Sequence, residues 1–343
     1  MKAAVFQGAG QPLVVQSIDT PAVGAGEMLL KVKYCGVCGT DLHYTEEGTP
    51  VAPGAVIGHE FCGEVADVGP GVADHWKVGD RAVSMPFVGC GACASCLSGK
   101  PIWCRAMRTH ATGQISGGFA EYTPIGATGS VKLPDGVSWE EAALIEPLAV
   151  GLHGVRRARL DAGANVLIVG AGPVALGVVV WAKVLGARRI VVTARSDRGA
   201  AMAVSLGATD FITGDKDVRR EFRKVAGGLP DAVFECVGAP GVLEQCIALA
   251  SIRGQVVVLG GCMRPDVVTP AAAMNKELNL VFSLAYDLYD FEVAVDRVAR
   301  GVIDPSAMIT DRVDLASFPD AFEALRQRTH QCKVLLSPGG RPR

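Results

Sequence analysis

The chain has 343 residues, 49% hydrophobic and 20% charged, a length that favours two domains and a composition that fills a sizeable core and excludes disorder as the main state. The formal net charge of -2 gives no electrostatic reason to expect nucleic acid or an anionic membrane as partner. No apolar run reaches membrane-spanning length, the leading MKAAVFQGAG lacks a signal peptide's apolar stretch, and eleven cysteines fit thiolates in a reducing cytosol better than a disulfide scaffold, so a cytoplasmic location is expected.

Residues 1 to about 150 are rich in Gly, Pro and Val. Strand-like runs such as EMLLKVKYCGV and FCGEVADVG alternate with turn signals at Pro53-Gly54, Pro70-Gly71 and Gly79-Asp80, the texture of an irregular all-β domain. This region holds Cys38, Thr40, Asp41 and His43, then Gly58, His59 and Glu60, and near its end Glu146. Cys, His and Glu are suitable zinc ligands, and a catalytic zinc uses three protein ligands and keeps a position open. Singly each has a plainer reading: His59 as a satisfied core histidine, Glu60 or Glu146 as a cap or ion-pair carboxylate.

The cluster Cys90, Cys93, Cys96 and Cys104 is more specific. Three cysteines at two-residue gaps and a fourth after seven more can wrap one tetrahedral ion, and zinc is the usual occupant of four thiolates. Such a site is closed, so it predicts a structural zinc. Cys35, Cys62, Cys236, Cys246, Cys262 and Cys332 share no ligand spacing and read as small buried hydrophobes. A helix is predicted from Ser138, a good N-cap, with Glu140 and Glu141 in its first turn.

From residue 165 strands alternate with helices. NVLIVG reads as a buried strand, PVALGVVVWAKVLG as a helix ending at Gly186, RIVVTA as a strand and DRGAAMAVSLG as a helix. FITG, DAVFECVG and QVVVLGG supply further strands, which predicts βαβ units and a parallel sheet. One more helix, DFEVAVDRVARG, and a strand, CKVLLS, precede a polar tail. The first of these turns carries Gly170, Gly172, Pro173, Val174 and Ala175 between a strand and a helix, the context a dinucleotide fingerprint requires. Gly170 permits the tight turn, Gly172 lets backbone approach a pyrophosphate at the positive helix end, and Ala175 allows close packing. About 20 positions on, where an acidic residue would bind the ribose of NAD, the strand ends instead in Ala194, followed by Arg195, Ser196 and Arg198. Loss of the carboxylate and gain of forked donors favour NADP over NAD. In the competing reading Asp197 takes the ribose and the arginines are surface residues.

Together these segments resemble the zinc-containing medium-chain dehydrogenases/reductases, in their polyol and butanediol branch. The matching stretches are GVCGTDLH, GHEFCGEV, VGDRAV, the four-cysteine lobe, GGFAEY, EPLAVGLHG and VGAGPVALG. The resemblance implies an α/β protein. A GroES-like, mostly-β catalytic domain would comprise residues 1–149 and 287–343, with its structural zinc lobe at about 89–105. A Rossmann domain would comprise 150–286, with the active site in the cleft between the two. It further implies that Cys38, His59 and either Glu60 or Glu146 hold a catalytic zinc, that Asp41 orients a ligand imidazole, and that Thr40 and His43 relay a proton. The implied reaction passes hydride between the nicotinamide and a secondary alcohol or its ketone, a vicinal diol or hydroxyketone among them, in a homodimer or homotetramer. Tyr44 matches the sorbitol branch, but Ser283 and Leu284 stand where that branch grips a polyol with an Arg-Tyr pair. The rival readings are an NAD-dependent polyol or L-threonine-type dehydrogenase and a non-catalytic nucleotide- or zinc-binding protein that kept the fold.

Overall fold

The computed structural model describes residues 1–340 except 47, 49 and 328; the end of the polar tail, 341–343, lies outside the described residues. The chain divides into two compact units, Met1–Glu146 with Asp287–Arg343, and Pro147–Tyr286. The first boundary falls a few residues before the position read from the sequence.

The first unit is built on a seven-stranded sheet. Its spatial order is Ile309–Asp314, Lys333–Ser337, Glu27–Gly36, Glu60–Val68, Arg81–Ser84 and Ser130–Lys132, with Tyr122–Gly126 also paired to Glu27–Gly36. The ten-residue strand Glu27–Gly36 sits at the centre because nearly all of its side chains are buried. Its last residue, Gly36, is paired with Glu60 on one side and with Leu335 on the other. Beside the sheet Phe119, Phe318 and Phe322 meet edge to face, with centroids 4.7 Å apart for Phe119–Phe318 and 5.8 Å for Phe318–Phe322. The expected all-β texture is interrupted by short helices, among them Gly39–His43, which starts just beyond the end of the central strand. The helix at Ser138 forms as expected, with a capping box in which Ser138 and Glu141 satisfy each other's backbone N–H.

The second unit is a six-stranded sheet with every neighbouring pair parallel. The spatial order is Asp210–Thr213, Arg189–Ala194, Asn165–Val169, Ala232–Glu235, Gln255–Val258 and Asn279–Phe282. Counted along the chain that order reverses between Asn165–Val169 and Ala232–Glu235, the switch point of a doubly wound sheet, where such folds bind ligands. The helices Val218–Ala226 and Val242–Leu249 and the strands Asn279–Phe282 and Ile309–Asp314 were not resolved as elements in the sequence. Among the described residues no helix is long and apolar enough to cross a membrane.

Candidate active site

The open cluster grows from the end of the central strand. Cys38 is the N-cap of the helix Gly39–His43, in extended conformation, so its side chain projects from the helix start. Asp41, fully buried in the first turn, accepts the Cys38 backbone N–H at 2.9 Å through Oδ2. Its other oxygen, Oδ1, lies 3.0 Å from Nδ1 of the buried His59. That contact leaves Nε2 of His59 to face a metal and fixes the ring's orientation. The ligand atoms of Cys38, His59 and Glu60 all lie within 4.8 Å of one another. Glu146 is buried at the start of Ile145–Ala158 and is not a member of that group.

Burial would lower the basicity of His59, but the charge of Asp41 and the Cys38 sulfur outweigh it and raise its pKa well above the usual imidazole value. Behind Glu60 stands Lys333, fully buried, with Nζ 2.7 Å from Glu60 Oε1. Burial opposes the Lys333 charge, and the charges of Glu60 and Cys38 more than restore it, so its pKa is raised. A Cβ on Gly36 would lie 2.2 Å from Glu60 Oε2, so only glycine lets the carboxylate cross that strand. Neither Gly36 nor Lys333 was singled out from the sequence. The one signal was a lysine inside the apolar run CKVLLS, since its partner lies 273 positions away.

The three side chains fit a metal site on their own terms: a thiol, an imidazole held by a carboxylate through its far nitrogen, and a carboxylate, converging from two chain segments. Thr40 Oγ1 lies 3.6 Å from the Cys38 sulfur. His43 follows on the same short helix, one turn along, with an exposed ring 3.8 Å from Glu46.

The four-cysteine lobe is closed at its base by the paired strands Phe87–Val88 and Arg108–Thr109. Cys93 caps the helix Ala94–Leu97, which carries Cys96, and Cys104 ends the turn Pro101–Trp103. All four sulfurs lie within 4.8 Å of one another, and all are free thiols. Cys93 and Cys96 Sγ are 3.6 Å apart. That is far longer than a disulfide and close to the ~3.8 Å edge of a tetrahedron with Zn–S bonds of about 2.3 Å. Backbone N–H groups of Ala92 and Cys93 hold Cys90 down to about 6, while burial pushes Cys96 up to about 12. At neutral pH Cys90 is thus ready as a thiolate, while Cys96 must give up its proton when a metal binds. Of the cysteines read as buried hydrophobes, Cys35, Cys62 and Cys246 are buried, and Cys236, Cys262 and Cys332 only half-buried.

In the second unit Gly170 has φ +115, and a Cβ there would stand 3.2 Å from the Cys236 carbonyl. The turn thus requires glycine for the reason read from the sequence. Gly172 caps the helix Pro173–Val184, Pro173 opens it with Val174 in its first turn, and the space a Gly172 side chain would fill is open. The first N–H groups of that helix have no intrahelical partner, so the turn suits a phosphate. Glu235, buried at its strand end, accepts the N–H groups of Val237 (2.7 Å) and Gly238 (2.9 Å) and so shapes the facing turn, a role with no local signal in the sequence. After Ala194, Arg195 and Arg198 are exposed, and Arg198 Nε donates to Ser196 Oγ at 3.2 Å.

Residues 24–135 match the family described as "Alcohol dehydrogenase GroES-like domain", and 173–300 match "Zinc-binding dehydrogenase". The chain belongs to the zinc-binding alcohol dehydrogenase family. It is accordingly an oxidoreductase, with a GroES-like and a Rossmann-type domain. Sorbitol dehydrogenase of Bacillus subtilis (strain 168) is 33% identical over 350 residues, covering 98% of this chain and 97% of the relative. The structure of 2R,3R-butanediol dehydrogenase from Bacillus subtilis superposes with TM-score 0.88 at 31% identity, covering 98% and 99%. Two further structures carry cofactors. The E. coli CFT073 dehydrogenase rspB, complexed with NADH, has TM-score 0.90 at 30% identity, covering 98% and 99%. A zinc-binding dehydrogenase from Sinorhizobium meliloti 1021, bound to NADP, has TM-score 0.89 at 31% identity, also covering 98% and 99%.

Proposed function

We propose that this chain is a zinc-dependent, NADP-preferring dehydrogenase of secondary alcohols and their ketones, with vicinal diols or hydroxyketones as the favoured substrates. The observation that carries the reading is the convergence of Cys38, His59 and Glu60 beside Thr40, with Asp41 steering the imidazole. Cys38 and His59 would hold the catalytic zinc with Glu60. Glu146, buried but outside that group, is the alternative third ligand. Cys90, Cys93, Cys96 and Cys104 would hold the structural zinc. Bound zinc supplies Lewis acidity that eases loss of the substrate hydroxyl proton near neutral pH. The Thr40 hydroxyl would accept that proton while passing its own through the cofactor ribose to the exposed His43, which would deliver it to solvent; in the reducing direction the relay would run in reverse. The two electrons leave the carbinol carbon as hydride to the nicotinamide.

The nucleotide preference rests on Ala194, where no carboxylate opposes a 2′-phosphate, and on Arg195, Ser196 and Arg198 as its donors. An NAD-dependent polyol dehydrogenase is the second reading, favoured by the sorbitol relative and by the NADH-bound neighbour. Against it, Ser283 and Leu284 offer no charged clamp for a polyol. The deciding experiment compares NADPH with NADH in the reduction of acetoin, cyclohexanone and fructose. We expect acetoin with NADPH to lead by at least about tenfold in kcat/KM, a difference of about 1.4 kcal/mol. Fructose with NADH in the lead would overturn the reading.

A homodimer or homotetramer in the cytoplasm is the assembly we favour. The strand Asn279–Phe282 ends its sheet with Leu280, Phe282 and the following Leu284 exposed, an edge that a second copy can extend. Phe282→Lys should shift the protein toward monomer in light-scattering chromatography; a wild-type monomer would refute the assembly.

A further inference from the structure

Lys333 is a fully buried cation with all three donors committed: to Glu60 Oε1 at 2.7 Å, Glu60 Oε2 at 2.5 Å and the Val37 carbonyl at 3.1 Å. Glu60 therefore meets the open cluster with both oxygens already engaged. The arrangement is built into the sheet. Glu60 and Lys333 start the two strands that flank the end of Glu27–Gly36, and the missing side chain of Gly36 is what lets them touch. Stability alone does not account for it, because a buried ion pair seldom holds a fold better than apolar side chains of the same volume. What an apolar pair could not do is set the charge presented to a divalent cation at Cys38 and His59.

We propose that Lys333 is a positioning residue of the open metal cluster: by gripping both oxygens of Glu60 it makes Glu60 a shared, displaceable ligand and keeps the metal's hold loose enough for exchange. This rests on the reading of Cys38, His59 and Glu60 as metal ligands. With Lys333 in place, one of the two negative charges of Cys38 and Glu60 is already balanced. Without it, both act on the metal alone, and the freed carboxylate turns to the metal as a full ligand. The metal is then held more tightly at the cost of the position a substrate needs.

The test measures metal release to excess 4-(2-pyridylazo)resorcinol from the folded protein, together with the visible spectrum of cobalt in the open cluster. Wild type should hold two metals per chain. Lys333→Met should release the open-cluster metal at least about tenfold more slowly, because an unscreened buried charge acts strongly on a divalent ion. It should also alter the cobalt bands as Glu60 turns from a shared into a full ligand. Lys333→Arg, which keeps the charge, should release it at close to the wild-type rate. The double variant Glu60→Gln with Lys333→Met, which removes both charges, should release it faster than Lys333→Arg. Unchanged or faster release from Lys333→Met, with unchanged cobalt bands, overturns the proposal while leaving the metal site standing. If Lys333→Met fails to fold, equal release from the double variant and Lys333→Arg overturns it instead. A wild-type chain holding one metal only overturns the site reading and this inference together.

Discussion

The Asp41 carboxylate has one oxygen on the Cys38 amide and the other at the His59 ring, so a single buried side chain fixes two members of the open cluster. Asp41→Asn keeps the size but removes the charge and the matched acceptors. It is predicted to weaken metal retention or activity about 10–100-fold, as loss of such outer partners typically does. Chelator competition, with nucleotide binding as a control, measures this; unchanged retention would show that Cys38 and His59 position themselves. Arg195 belongs to the same scale. Arg195→Ala should raise KM for NADPH by about tenfold or more, the loss of one charge-assisted contact, and leave KM for NADH nearly unchanged. Equal losses for both cofactors would return the preference to NAD. Cys38, His59 and Asp41 were legible in the sequence because motif and chemistry coincide there. Lys333 was not, because its meaning comes from a partner far along the chain and from a glycine that clears the way.

At the scale of the element, the lobe 87–109 is a small folded piece whose own apolar contribution is modest. Leu97 and Trp103 are exposed, and the helix Ala94–Leu97 has no buried residue. Its four sulfurs take the place of a core, and a bound zinc would supply the missing cohesion. Cys96→Ser should therefore lower the melting temperature or the assembly state before it lowers turnover of the protein that remains folded. A variant that stays fully stable yet inactive would reverse this division of labour. The lobe's spacing was plain in the sequence, as was the glycine turn, since both are local patterns. The helix Val218–Ala226 was missed although Asp217 caps it, its side chain accepting the Arg220 N–H at 3.1 Å. That segment is mostly charged, with Phe222 and Ala226 its only buried residues, so it lacked the apolar rhythm that marks its neighbours. The edge strand Asn279–Phe282 has an exposed burial pattern and likewise lacks the apolar signature of the central strands.

For the whole molecule, protons and the proposed zinc would compete for the same residues. In the metal-free protein His59 has its pKa raised above the unfolded value: burial alone would lower it, but Asp41 and Cys38 prevail. A group shifted in that direction stabilises the fold fully below its unfolded pKa, about 6.5, and loses that contribution as pH rises through the folded value. Zinc needs the imidazole neutral and the Cys38 sulfur as thiolate, so binding at this cluster must expel protons. Stability without zinc should thus decline through this window, and the rise in Tm on adding zinc should grow from about pH 6 to about pH 8. The lobe contributes a pH dependence of its own, since Cys90 titrates at about 6. Asp41→Asn separates the two, because it removes the charge that raises His59 and leaves the lobe untouched. The growth of the zinc-induced shift with pH should be smaller in Asp41→Asn than in wild type, measured by thermal unfolding with and without saturating zinc. An identical slope in both proteins would mean that the lobe alone carries the pH dependence and that the proton on His59 is not the one zinc displaces.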